Sequence, residues 1–212
     1  MPDPQAPSLI TPPDIDDSQL VEQAVNGDVN AFNGLVLRYQ DRVYSIAYRI
    51  MGEPDGAADM TQDAFINAFR KLETYRGGSF IGWMGRIVTN TCYDELRKRK
   101  RRPQTAFDDL PGGDADDGPP IASDSITPEE AAQRSDLQQA IADCIRALND
   151  DQRVVMVLCD IENQSYQEIA EIMNLNMGTV KSRLSRARVA VRNCLQAVQE
   201  LLPPEFRLGD EG

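Results

Sequence analysis

The sequence predicts an all-α protein of two small helical domains joined by a flexible acidic linker. Three observations lead there. Apolar residues recur at spacings of three and four, and no segment alternates as a strand would. Capping signals stand in front of most apolar stretches. Residues 103–127 break the pattern with Gly, Pro, Asp and Ser.

Residues 1–17 read as a disordered tail, rich in Pro and polar side chains. Asp17 or Ser18 can start a short helix that stops at Gly27. Asp28 can cap a long one, with Phe32, Leu35, Val36, Tyr39, Val43, Ile46, Ala47 and Ile50 inward, ending at Gly52. Pro54 suits the first turn of a third helix, which carries Ala57, Met60, Ala64, Phe65, Ala68 and Leu72. Residues 74–78, TYRGG, form a loop. Ser79 then opens a fourth helix with Phe80, Trp83, Met84, Ile87, Val88 and Leu96 inward. This helix runs out in cations, which suit the negative end of its dipole. These elements make a first domain over 18–102.

A second domain spans 128–202, leaving 203–212 as a C-terminal tail. Thr127-Pro128-Glu129-Glu130 combines an N-cap, a first-turn Pro and a capping-box Glu. Leu137, Ile141, Ile145 and Leu148 give the following helix its stripe. Asn149 caps a further helix through Val154, Val155, Val157 and Leu158. Residues 165–188, SYQEIAEIMNLNMGTVKSRLSRAR, then show a helix, a tight turn and a second helix. Ser165 and Glu168 form a capping box, and Asn176 caps the second helix. That helix buries Val180, Leu184, Ala187, Val191, Leu195 and Val198. At ~100° per residue, Ser182, Ser185 and Arg186 lie opposite the seam, while Lys181, Arg183, Arg188 and Arg192 flank it. A helix entering a major groove needs this division: polar groups toward base edges, cations toward the phosphate walls.

The 212 residues carry a formal net charge of −12, unusual for a nucleic-acid binder. The acidity is local. Residues 1–37 and 103–130 hold no Lys or Arg, whereas 97–102 is an unbroken run of six cations. Nearby acid repels phosphate, so the isolated chain is expected to bind DNA weakly. With no histidine, and Cys92, Cys144, Cys159 and Cys194 scattered, neither a metal site nor a cofactor is expected. The cysteines read as buried small apolar residues. No apolar run is long enough to cross a bilayer and no signal-peptide pattern is present, so the chain reads as cytoplasmic, without membrane insertion.

The two halves together resemble the extracytoplasmic-function (ECF, group IV) sigma factors, RNA polymerase specificity subunits of the sigma-70 family. The resemblance rests on three motifs. Glu168-Ile169-Ala170, Gly178 to Leu184 and Arg186-Ala187-Arg188 are similar to the promoter −35 reading domain, region 4. Residues 59–65, DMTQDAF, are similar to the polymerase-binding helix of region 2. Phe80, Trp83, Ile87, Asn90, Asp94 and Arg97 match the −10 reading helix. The chain departs from the pattern at Asn176, where many members have Pro, and at Ala58, where Glu is frequent. Ser185 also stands where bulkier side chains occur.

The resemblance implies core RNA polymerase as partner, through its β′ coiled coil and β flap, together with promoter DNA and an anti-sigma factor. It assigns polymerase binding to Asp59, Gln62, Asp63 and Phe65. It assigns −10 recognition to Tyr75, Arg76, Ser79, Arg86, Asn90, Arg97, Lys98 and Arg101. Contact with the −35 duplex falls to Thr179, Lys181, Ser182, Arg183, Ser185, Arg186 and Arg188. The Asn90 amide offers a donor and an acceptor to a base edge. Tyr75 offers a platform for an extruded base, where stacking supplies ~1–3 kcal/mol. The alternative is a stand-alone helix-turn-helix regulator. An enzyme lacks support: Asp59 and Asp63 share a helix face, but nothing completes a catalytic constellation.

Overall fold

The computed structural model describes residues 16–101 and 128–198. The expectations for the tail, the linker, the Thr127 cap and the C-terminal tail therefore lie outside the described residues. Eight helices and no strand occur among those described: α1 Asp17–Val25, α2 Val29–Met51, α3 Pro54–Arg70, α4 Phe80–Arg101, α5 Pro128–Arg146, α6 Asp150–Met156, α7 Tyr166–Met173 and α8 Met177–Ala197.

Local chemistry sets these boundaries. The Asp28 carboxylate accepts from the amides of Asn30 (2.8 Å) and Ala31 (3.3 Å), and α2 stops where Gly52 turns left-handed at φ 77°. Ser79 Oγ accepts from Gly82 N at 3.2 Å, and Asn149 Oδ1 from Gln152 N at 3.0 Å. Asn176 Oδ1 accepts from Thr179 N at 2.8 Å and opens α8. A Cβ at Gly178 would stand 3.3 Å from that same oxygen.

Helices α1 to α4 pack around Leu35, Ile46, Ile50, Ala57, Ala64, Phe80, Met84 and Val88, all almost fully buried. The second half does not form a separate core. Val154, Val155, Val157, Leu158, Ile169 and Leu184 join the same contiguous apolar cluster. The buried polar tie at this seam is Arg153, only 6% exposed, beside more open ones. Its Nε donates to the Ile50 carbonyl (2.8 Å), and Nη1 to those of Arg146 (3.1 Å) and Leu148 (3.0 Å). Nη2 donates to Asp150 at 2.6 Å. A planar fork with five donors can serve all four partners at once.

Three features depart from the sequence reading. The helix after Asn149 does not run on regularly: Val157–Ile161 widens into a π turn, with Glu162 N donating to Val157 O at 2.9 Å. The α5 stripe buries Cys144 and Leu148, whereas Ile145 is only partly covered, because α8 approaches from the Cys144 side. Cys144 and Cys194 are joined in a disulfide, so two of the four cysteines are not the simple buried apolar residues expected. Cys92 and Cys159 are free thiols.

Replacing Arg153 by Met removes the guanidinium donor from two buried carbonyls, Ile50 and Leu148, and from the part-buried carbonyl of Arg146. Urea denaturation should show the variant roughly 3 kcal/mol less stable. Arg153→Lys, which lacks the fork geometry, should recover only part of the loss.

Candidate nucleic-acid interface

Helix α8 presents its polar side as the periodicity predicts. Ser182, Ser185 and Arg186 are exposed, opposite buried Val180, Leu184, Ala187 and Val191. Ser182 Oγ donates to Thr179 O at 3.0 Å, and Arg186 folds back on its own helix, Nε donating to Ser182 O at 3.2 Å. Lys181 lies 5.9 Å from the centre of the Tyr166 ring. Two of the flanking arginines, Arg183 and Arg188, are engaged. Arg183 is half-buried and pairs with Asp151 at 3.2 Å. Arg188 donates to both oxygens of Asp160, at 3.0 and 2.6 Å, which holds its guanidinium still further above its ordinary value.

The capping box of α7 is complete. Glu168 N donates to Ser165 Oγ (3.3 Å), and Ser165 N donates to Glu168 Oε2 (3.0 Å). The Ser165 amide, then its hydroxyl, hold the Glu168 carboxyl below the usual range, and Arg86 of α4 adds to this by pairing with it.

On α4, Ser79, Arg86, Asn90, Arg97 and Arg101 fall within one narrow stripe at ~100° per residue. Asn90 is exposed and lines a cavity of about 370 Å³ with Asp63, Asn67, Asp94, Arg97, Lys98 and Arg101. Arg97 sits 5.9 Å from the Tyr93 ring centre and 3.9 Å from Asp94, and Lys98 is 3.6 Å from Glu95. The 74–78 loop contributes nothing to that cavity. Tyr75 is instead half-buried, edge-on to Phe80 and Trp83, and its hydroxyl donates to Gly78 O at 2.6 Å. Gly77 and Gly78 take φ of 88° and 87°, bringing the chain back to that hydroxyl. Arg76 Nη1 donates to Glu73 O. Base-edge chemistry and the aromatic platform thus occupy two places.

The α3 set also divides. Gln62 and Phe65 line an apolar groove of about 780 Å³ between α2 and α3, Asp63 faces the polar cavity, and Asp59 is exposed but lines neither. Phe65 is 7% exposed, so it supplies the groove floor and not a projecting anchor. Ile66, Phe69 and Val29, at 41%, 46% and 56%, are the open apolar groups there. Sequence periodicity could have shown Phe69, one turn beyond Phe65 and off the seam.

The two halves close over each other through charge as well. Arg86 meets Glu168, Lys100 approaches Asp151 at 3.6 Å, and Glu162 faces Arg42 (3.3 Å) and Arg49 (3.6 Å). Asp151 therefore stands between the basic end of α4 and Arg183 of α8.

Comparison with known proteins gives this geometry its context. Residues 35–102 match Sigma-70 region 2, and residues 138–191 match Sigma-70, region 4. The RNA polymerase sigma-H factor of Pseudomonas aeruginosa is 38% identical, over 85% of this chain and 94% of its own. The ECF RNA polymerase sigma-E factor of Escherichia coli K12 is 37% identical, over 85% and 94%. The chain belongs to the ECF sigma factors of the sigma-70 family. Among solved structures, CnrH in complex with the cytosolic domain of CnrY is similar at TM-score 0.51 and 25% identity, over 85% of this chain and 97% of that one. The sigma factor RpoE of Bartonella quintana, in complex with the anti-sigma factor NepR, shares the fold at TM-score 0.54 and 24% identity, over 79% and 98%.

This sigma factor is accordingly a non-catalytic subunit that directs transcription initiation, and the stand-alone regulator gives way. No helix among the described residues is long and apolar enough to cross a membrane.

Glu168 supplies a pH test. A carboxyl with a lowered folded pKa stabilises above its unfolded pKa, and that stability is lost as pH falls through the folded value. Glu168→Gln should therefore melt below the parent at about pH 7, and the gap should close as pH falls below the ordinary carboxylate range.

Proposed function

We propose that this cytoplasmic sigma factor reads promoter DNA with two separate surfaces, after core RNA polymerase has drawn its halves apart. The region 2-like domain over 18–102 grips polymerase through the α2–α3 groove, with Gln62, Ile66 and Phe69 at its lip and Asp59 and Asp63 beside it. The β′ coiled coil is the partner for this face, and the β flap the partner for the domain over 128–202. Ser182, Ser185 and Arg186 meet base edges of the −35 duplex. Thr179, Lys181, Arg183 and Arg188 meet its phosphates, the last two exchanging Asp151 and Asp160 for DNA. Asn90 reads a −10 base. Arg86, Arg97, Lys98 and Arg101 hold the backbone, while Tyr75, Arg76 and Ser79 shape the pocket of a second base. The acidic segment 103–127 is the tether.

One observation carries the need for opening: the halves share a core and mutual ion pairs. The −35 and −10 elements lie about 25 base pairs apart, roughly 85 Å of duplex at 3.4 Å per step. A packed globule of this length is only about 40 Å across. Both elements cannot be met by the closed form. An anti-sigma factor that favours closure would silence the protein, a reading supported by the complex of Bartonella quintana RpoE, which shares the fold, with the anti-sigma factor NepR.

Run-off transcription with purified core enzyme tests the assignments. Asn90→Ala should impair promoter opening more than recruitment, and Arg186→Ala should relax −35 preference by ~1–3 kcal/mol. Phe69→Asp should weaken core binding about tenfold or more while leaving the fold intact. Variants that transcribe every template like the parent would refute the residue roles.

A further inference from the structure

The fold treats its cysteines in two ways. Cys92 is buried, and burial pushes its thiol up to about 12. Cys159 is raised by burial and by neighbouring Asp160. Both are poor thiolate sources at neutral pH. Cys144 and Cys194, by contrast, are bonded across 50 residues of sequence, from the last turns of α5 to the last turn of α8, with Cα atoms 5.7 Å apart.

The surroundings of this pair are unlike the main core. It belongs to a small satellite cluster whose other buried members are Leu148, Ala187 and Val191. Helix α8 anchors its first half in the main core through Val180 and Leu184. Beyond Ala187, Val191 is its one fully buried side chain among the described residues. The covalent bond is thus a principal tie between the far half of α8 and α5. Cys194 is half-buried, whereas Cys144 is only 3% exposed.

We propose that Cys144 and Cys194 form a reversible thiol–disulfide exchange site, with a small-molecule disulfide as oxidant and a small thiol as reductant, whose state sets how firmly α8 is held on α5. In the oxidising direction the Cys194 thiolate attacks one sulfur of the small disulfide and releases the first thiolate. The Cys144 thiolate then attacks Cys194 Sγ and releases the second. The two protons end on the released thiols, and the small disulfide gains the two electrons that the cysteines lose. Reduction runs the same steps backward, starting at the more open Cys194. In reducing compartments disulfides are rare, and those that form are mostly transient or sensing. A staple on the helix that carries Ser182, Ser185 and Arg186 is placed to act on recognition: the oxidised form holds α8 preorganised. Only this transcriptional consequence rests on the sigma-factor function proposed above.

The test uses the full chain across mixtures of reduced and oxidised glutathione, with acid quenching, unfolding and maleimide mass tagging. With Cys92 and Cys159 free, the count should move from two tags to all four cysteines as the mixture becomes reducing. The melting temperature should fall by roughly 10 °C over the same range, because a long loop is released. Cys144→Ser/Cys194→Ser should melt at the reduced value in every mixture. With core enzyme, the oxidised form should transcribe a −35-dependent promoter roughly threefold better than the reduced form, and the double variant should not respond. Two tags throughout, or four throughout, would overturn the proposal, as would conversion without change in melting or transcription. Conversion with the melting shift, but no transcription by either form, would uphold the exchange site and count against the function.

Discussion

A charged guanidinium buried between two helical bundles is the constraint on which this arrangement turns. Arg153 takes its acceptors from the end of α2 and from the α5–α6 corner, so neither half alone can satisfy it. Burying such a group without partners costs several kcal/mol, far more than an exposed ion pair returns. The geometry is crowded as well. A Cβ on Gly52 would sit 3.3 Å from the Arg146 side chain and 3.7 Å from the Arg153 guanidinium carbon, on a backbone already left-handed. The seam therefore joins main chain to side chain at close range. It is specific in its geometry.

Electrostatics resolve the oddity of an acidic chain built to meet DNA. Surface pairs of this kind contribute little each to stability, because water screens them. Their effect is on availability. Asp151, Asp160 and Glu168 hold Arg183, Arg188 and Arg86, which a polyanion would otherwise engage. If these arginines meet DNA as proposed, nucleic acid displaces these carboxylates, and the displacement becomes favourable only where many phosphates act together.

The helices were legible because their ends are written in local chemistry. Asp28, Ser79, Asn149, Ser165 and Asn176 each accept the amide bonds expected of a cap. The outward face of α8 was legible for the same reason, since one seam fixes every other direction on the helix. What escaped was non-local. Nothing in the spacing of Arg153 announces the Ile50 carbonyl, 103 residues away, and Cys144 meets Cys194 only because α5 lies along α8. The depth of Phe65 in the groove escaped too, because an apolar side chain on a helix has no local mark distinguishing groove floor from lip.

The π turn at Val157–Ile161 carries a consequence of its own. One additional residue in a helical turn rotates everything after it by about 100° and lengthens the path by about 1.5 Å. Within that turn Asp160 is aimed at Arg188, and just after it Glu162 is aimed at Arg42 and Arg49. A single inserted peptide unit thus acts as an angular offset between the DNA-reading module and the bundle beneath it. Removing one residue here would re-aim the whole reader while leaving its own sequence untouched.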